Sequence, residues 1–447
     1  MKPFGLALLA AAIVGGALVQ NRQKGGPPGV FLTDYPKVGL TAIAGAPTKT
    51  SIVLSLASED KATLDIKFRP EGAKQSQQMM VDVMPKTAQE FEIKNLKPGT
   101  RYTYEIKKMN SEDRVEGSFV TARAPGSAFV FDIQADSHLD GNSSTQVYEN
   151  TLKNMLADKP DFLVDLGDTF MVDKYQNYQD SAKQYDAQRY WFSIPGSQMS
   201  IFLCLGNHDG ETAWPQRGGD VSSWAQQQRE SRFPMIKSNG FYSGAPKKGL
   251  YYDYAWGDAR FIVLDPFVAT KPKPRTDEDG WNWTLGKEQF TWFENVLKTS
   301  KEKYKFVFIH HLVGGFGSEA RGGIEAADKW EWGNEKEFPT KRSGWAEPIH
   351  SLMKKYGVTA MFHGHDHLYV RQEKDGILYI ETPQPSQARG DNTNSAANYG
   401  YKEGKILGSS GHLRVSVDPK QVKIEYVKSR LTGANREVVD SVVKTAK

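Results

Sequence analysis

Cysteine is almost missing from this chain: Cys204 is the only one in 447 residues. That excludes an intrachain disulfide and leaves no cysteine near the N-terminus to carry a lipid. Charge imbalance is missing too. The 57 basic residues face 53 acidic ones, for a formal net charge of +4, and no strong Lys/Arg run stands out. Nothing here argues for nucleic-acid binding, which usually shows a concentrated basic patch. There are no internal repeats. Long apolar runs are scarce: Phe4 to Val19 is uninterrupted by charge but falls short of the ~20 residues a spanning helix usually needs. What remains is an ordinary globular composition, 39% hydrophobic and 25% charged. Its length suggests two or three domains and an ample core.

The first residues read differently from the rest. Lys2 is the only charge before Arg22. Residues 1–24 therefore read as a secretory signal peptide, with a retained N-terminal anchor as the alternative. The nearest small-residue pattern, Gly15-Gly16-Ala17, is a poor cleavage site. Either reading places the body outside the cytoplasm, secreted or periplasmic. "QKGGPPG" then makes a flexible lead-in.

Residues 31–122 read as all-β. In "ATLDIKFRP", Leu64, Ile66 and Phe68 alternate with Asp65, Lys67 and Arg69, the period of a half-buried strand. "LKPGTRYTYEI" places a Pro98-Gly99 turn before Tyr102, Tyr104 and Ile106. This Leu, Pro, Gly, Thr, Tyr pattern resembles a fibronectin type III domain, which implies one sandwich used for scaffolding or positioning. "ARAPGS" (Ala122 to Ser127) marks a boundary. From 126 to 430 the pattern becomes apolar strand, polar loop, amphipathic helix. The strands are "AFVFDIQA", "DFLVDLG", "IFLCLG", "KFVFIHH" and "VTAMFHG". "WAEPIHSLMKKYG" puts Ile349, Leu352, Met353 and Tyr356 on one helical face, with Gly357 as C-cap. Such alternation predicts a layered α/β domain. Stretches near 210–250, 312–345 and 383–411 read as long loops.

Each of the five strands ends in polar residues. They are Asp136-Ser137-His138, Gly167-Asp168, Gly206-Asn207-His208-Asp209, His310-His311 and Gly364-His365-Asp366-His367. Ligands of open α/β sheets bind outside the carboxyl ends of strands, so these groups converge on one edge. All are metal-ligand types. Asp136/His138 and His365/His367 are spaced i, i+2, so in extended backbone each pair points one way. The glycines at 167, 206 and 364 fit sharp turns or close approach.

The ordered set D-x-H, G-D, G-N-H-D, H and G-H-x-H resembles the calcineurin-like metallophosphoesterases over roughly 126–430. "GLYYDYAWGDARFIVLD" resembles the central hairpin of that family. With the front sandwich, the chain looks most like the purple acid phosphatase branch. The resemblance implies a β-sandwich flanked by helices and a dinuclear centre. Asp136, His138 and His367 would hold one metal, and Asn207, His310 and His365 the other. Asp168 would bridge them. Zn, Fe or Mn suits such ligands. It also implies attack on phosphorus by metal-activated hydroxide, with His208, oriented by Asp209, stabilising the transition state or protonating the leaving oxygen. One departure matters. Purple acid phosphatases carry a tyrosine three residues after the bridging aspartate, and here "GDTFM" puts Met171 there. A tyrosinate-bound ferric ion is not expected.

A lone histidine at a strand end is ordinarily structural, but seven candidate ligands in five ordered motifs are not. Other residues get plainer readings. His311 is a neighbour of the site, His363 is paired internally, and His350 is solvated. Cys204 lies in the core, and Asp265 caps a turn. The tryptophans of "WNW" and "WEW" could line a cleft or pack loops. Arg321, Arg371 and Arg389 could meet a phosphate. The expectation is hydrolysis of phosphate esters, with monoesters favoured over diesters. A binding or adhesion protein with a vestigial site is a rival, but such a site should have lost ligands and none is missing. A protein-directed phosphatase would want a basic groove that the sequence does not display.

Overall fold

The computed structural model describes residues 31–210, 220–244, 250–270, 277–312 and 321–446. The expected signal or anchor segment lies outside these. Among the described residues, no helix is long and apolar enough to cross a membrane.

The front strands alternate as their sequences demand. Leu64, Ile66 and Phe68 of Ala62–Pro70 are buried, as are Tyr102, Tyr104 and Ile106 of Arg101–Lys108. These strands belong to a four-stranded sheet ordered Gln77–Val83, Ala62–Pro70, Arg101–Lys108, Arg114–Val120. It packs on Leu40–Gly45, Ile52–Ser58 and Gln89–Ile93, and the two layers share a core of Leu54, Leu64, Ile66, Tyr104 and Phe119. This is the expected sandwich.

Its three-stranded layer does not stop at itself. Leu40–Gly45 pairs in parallel with Ser200–Leu203 through Ala44 and Ser200. One nine-stranded sheet therefore runs from the front sandwich through Ser200–Leu203, Phe162–Asp165 and Phe129–Gln134 to the C-terminal strands Gly411–Val417, Gln421–Lys428 and Glu437–Thr445. Asp161 ties the same junction. It accepts bonds from Arg123 Nε (2.7 Å), Arg101 Nη2 (3.3 Å) and, from the opposite sheet, Trp256 Nε1 (3.0 Å).

The second half is a layered α/β domain, as expected. Phe129–Gln134, helix α1 (Thr145–Asp158), Phe162–Asp165, helix α2 (Tyr178–Gly196) and Ser200–Leu203 form two parallel strand–helix–strand units. Ser144 caps α1 by accepting from Val147 N, and Asn177 caps α2 by accepting from Asp180 N, which satisfies donors the first helical turn leaves free. A second, eight-stranded sheet holds the hairpin Tyr252–Trp256/Ala259–Val263 and three further strands parallel to Ala259–Val263, namely Tyr304–Phe308, Ala360–His363 and Ile377–Glu381. The two sheets face each other across packed aromatics, some edge-on and some stacked. Phe131 and Phe162 meet Phe261 at 5.0 and 5.1 Å, and Phe202 stacks on Tyr254 at 4.4 Å. Central strands buried on both faces read as continuous apolar runs, and these do.

Three expectations need correction. The presumed loops carry helices at Val221–Glu230, Gly323–Ala326, Trp330–Gly333, Phe338–Lys341 and Ser395–Asn398. The face of Ile349, Leu352 and Met353 is buried, but its helix ends at Lys355 and Tyr356 is the C-cap residue. His350 is not solvated. It is buried on the same helix, with Nδ1 2.6 Å from Tyr379 Oη and Nε2 2.9 Å from Asp375 Oδ2. The helix face was read from apolar residues alone, and a histidine with two fixed partners belongs to it equally well.

Candidate metal centre

The five strand ends converge at one edge, and two groups of side chains form there. Asp136, His138 and His367 offer one ligand atom each, all within 4.8 Å of one another, and so do Asp168, His310 and His365. Asp168 sits between the groups. Its Oδ2 lies 3.2 Å from His310 Nε2 and 3.8 Å from His138 Nε2. Asp136 Oδ1 lies 3.5 Å from His367 Nε2 and 3.7 Å from His138 Nε2.

The backbone reaches this arrangement by turning, not by extension. Asp136 (φ 59°), His138 (φ 43°), Asp168 (φ 53°), His365 (φ 86°) and His367 (φ 56°) all lie in the left-handed region. Residues other than glycine rarely go there, and such strain clusters at functional sites. The i, i+2 argument from extended strands is therefore wrong in mechanism. Asp136 and His138 still meet in one group, while His365 and His367 split between the two.

Hydrogen bonds fix which atoms face inward. His310 Nδ1 donates to Leu166 O at 2.8 Å, and His138 Nδ1 donates to Asp140 Oδ2 at 3.3 Å. Each leaves Nε2 toward the cluster, the arrangement by which ligand histidines are oriented. Buried Nε2 of His310 and His138, Asp136 Oδ1, His365 Nδ1 and both polar atoms of the Asn207 amide have no hydrogen-bond partner. Buried polar atoms are rarely left so. A convergent set of N and O donors without partners fits metal ions.

Electrostatics agree. Burial would push the Asp168 carboxyl up, but the imidazoles of His310, His208 and His138 hold it well below the usual carboxylate range. Burial disfavours the His310 imidazolium, yet Asp168 and Asp136 lift it to about 9.

His208 and Asp209 are placed apart from the pairing expected of them. Asp209 does not touch the His208 ring. Its carboxylate accepts four backbone N–H groups, from Gly206 (2.6 Å), Phe170 (2.8 Å), Thr169 (2.9 Å) and Asp168 (3.0 Å), so it stitches two ligand loops together. The partner of His208 is Asp173, whose two oxygens both lie 2.8 Å from Nδ1. Asp173 follows Asp168 in a 3-10 turn, Val172–Lys174, and belongs to no motif, so only the turn reveals it. Met171 begins that turn and is buried.

The plainer readings mostly stand. His363 Nδ1 pairs with Glu381 Oε2 at 2.5 Å. His311 packs beside the site, its ring 3.8 Å from that of His365. Cys204 is buried, and Asp265 accepts from Phe267 N to cap a turn. Trp283 donates to Leu312 O and Trp332 to Tyr379 Oη, so both pack loops. Arg371 pairs with Asp440 (2.6 Å), and Arg321 with Asp366 (2.8 Å).

Comparison with known proteins bears on this geometry. Residues 129–369 match the calcineurin-like phosphoesterases. Tartrate-resistant acid phosphatase type 5 from rabbit (Oryctolagus cuniculus) is 23% identical over 284 residues, covering 60% of this chain and 75% of the relative. The mouse (Mus musculus) protein of the same name is 23% identical over 283 residues, with the same coverage. Among solved structures, PhoD superposes with a TM-score of 0.67 at 16% identity, covering 92% of both chains. Purple acid phosphatase PPD1 from yellow lupin (Lupinus luteus) seeds reaches 0.60 at 16% identity, covering 90% of this chain and 73% of that one. The matched segment is more than half the chain and contains every strand end just described, so the chain belongs to the calcineurin-like phosphoesterases, enzymes that hydrolyse phosphate esters.

Proposed function

We propose that the protein is a dinuclear, metal-dependent phosphomonoesterase acting outside the cytoplasm. The observation that carries this is the pair of adjoining side-chain groups, with Asp168 Oδ2 3.2 Å from His310 Nε2 of its own group and 3.8 Å from His138 Nε2 of the other, lined by buried donor atoms without partners. Asp136, His138 and His367 would hold one ion, and Asn207, His310 and His365 the other, with Asp168 between them. Zn, Mn or Fe suits these ligands. Two such ions supply Lewis-acid charge to a phosphoryl group and acidify water. The remaining work falls to the chain. His208, with Nδ1 held by Asp173, keeps Nε2 turned toward Asp168 at 3.9 Å, where it can deliver a proton to the leaving oxygen. Asp209 keeps the Asp168 and Asn207 loops in register. The front sandwich, fibronectin type III-like in its strand pattern, positions the enzyme. The N-terminal segment would direct export.

The test compares a nitrophenyl phosphate monoester with its bis-ester on protein loaded in turn with Zn, Mn and Fe. The monoester should turn over faster, and Asn207→Ala and Asp168→Ala should abolish turnover while circular dichroism stays native. Faster bis-ester hydrolysis would make the enzyme a phosphodiesterase. Full activity in Asp168→Ala would overturn the bridging role.

A further inference from the structure

A cavity lies on the side of α2 away from the metal centre, between that helix and the front sandwich. It measures about 370 Å³ and is walled by Arg189, Arg232, Lys86 and Ser58, with Tyr35 and Tyr190 stacked at 5.4 Å. Arg189 is the unusual member. It is only 6% exposed, yet no carboxylate of the described residues lies within ion-pair distance. Its guanidinium instead donates to Thr41 Oγ1 (3.1 Å), Ser55 Oγ (3.1 Å), Ser55 O (3.0 Å) and Arg232 O. A guanidinium has five N–H donors, so one on Nη2 remains unused. Burial, with Arg232 nearby, pushes its pKa down to about 9. An ion buried without a counter-charge is costly unless something compensates it.

The surroundings extend the same need. Ser58 Oγ is buried and without a partner. The backbone of Ser58 holds that of Lys86 through Lys86 N to Ser58 O at 2.9 Å, and the exposed Lys86 lines the cavity. Two carboxylates also line the cavity. Asp186 is taken by Arg232 Nε at 2.7 Å, and Glu59 is exposed at the rim. Asp186 still acts on Arg189 without an ion pair, and three cationic side chains, Arg189, Arg232 and Lys86, face two carboxylates across the cavity.

We propose that this cavity binds a small oxyanion, a phosphate group or a carboxylate, with Arg189 as its buried anchor. Ser58 Oγ donates to the same ligand, and Lys86 closes it from the solvent side. The site would communicate with the metal centre through α2. One residue before Arg189, Gln188 Nε2 donates to Ser137 Oγ and Thr169 O, both at 2.9 Å, and Gln184 Nε2 donates to His138 O at 2.5 Å. One helix thus touches the anion cavity and two loops of the centre.

The test uses the full chain, freed of metal by chelation and dialysis so that the metal centre does not compete. Inorganic phosphate and, separately, acetate are titrated by calorimetry and by unfolding temperature. Saturable binding is expected with at least one anion. Phosphate alone identifies a phosphoryl group, and acetate binding identifies a carboxylate. Lys86→Ala should weaken binding roughly fivefold, and Glu59→Gln should strengthen it by a similar factor. Arg189→Gln should lose it. Lys86 and Glu59 are exposed, so their variants decide the matter even where Arg189→Gln fails to fold. No saturable binding of either anion, or equal affinity in Lys86→Ala and Glu59→Gln, would overturn the site. The proposal does not depend on the phosphoesterase reading, which is assayed by hydrolysis on metal-loaded protein.

Discussion

Asp173 is the residue whose importance only the fold discloses. It holds His208 Nδ1 through both carboxylate oxygens, fixing the ring that faces Asp168. Asp173→Asn should keep the fold and lower kcat about 10²-fold. The loss should be larger for an alkyl phosphate than for a nitrophenyl phosphate, because a poor leaving oxygen needs the proton more. An equal loss on both esters would remove His208 from proton delivery. A second expectation concerns protons displaced by metal. With its pKa lifted to about 9, metal-free His310 holds a proton at neutral pH, and a metal must expel it. Affinity should therefore rise between pH 7 and 9, with proton release at pH 7 detected by calorimetry in two buffers of different ionisation heat. Affinity independent of pH over that range would contradict it. The six side chains that the structure gathers into two groups, Asp136, His138, His367, Asp168, His310 and His365, could be picked out in the sequence because their types, order and flanking glycines recur as motifs. Asp173 could not, because a lone aspartate past Met171 carries no spacing signal. His208 was given the wrong partner because Asp209 is adjacent in sequence, while its carboxylate is consumed by backbone N–H groups.

At the level of elements, the centre depends on how closely the turns approach one another. A Cβ on Gly364 would lie 2.7 Å from both Ala135 Cβ and Asp136 Oδ2. Gly364→Ala must move either the Asp136 loop or the His365 loop, at about 1–3 kcal/mol for an overpacked position. Metal bound per chain, measured by elemental analysis, should fall while the far-ultraviolet spectrum stays native; unchanged metal content would show that the loops yield without disturbing the cluster. Strand and helix types were legible from alternation and apolar runs. The left-handed turns were not, because five non-glycine residues with positive φ violate local preference, and only the surrounding packing makes that conformation hold.

Across the whole molecule, charge is buried far from the metal centre as well. Asp158, at the end of α1, takes His412 Nε2 and Arg414 Nη1, each at 2.7 Å, and Arg436 Nη2 at 2.5 Å. Burial pushes its carboxyl up, but His412 and Arg414 prevail and bring it from 3.8 to about 2. A depressed native pKa stabilises above the unfolded value and is lost on acidification. Stability should therefore drop as the pH falls from about 4 to about 2, and Asp158→Asn should be less stable at neutral pH with a flatter acid limb. An unchanged limb in urea titrations would exclude Asp158 as the cause. The change from an all-β to a layered α/β strand pattern was legible in the sequence near Ala122. The shared sheet was not, because a pairing between Leu40–Gly45 and Ser200–Leu203 leaves no local trace in either strand. The same nine-stranded sheet governs the order of assembly during synthesis. Phe129–Gln134, which leads to Asp136, has Gly411–Val417 as one neighbour, with Leu413 opposite Ile133. Until nearly the whole chain has emerged, that strand presents a bare edge of the kind that recruits wrong partners. The α/β half therefore cannot close its sheet on that side until Gly411–Val417 has been synthesised.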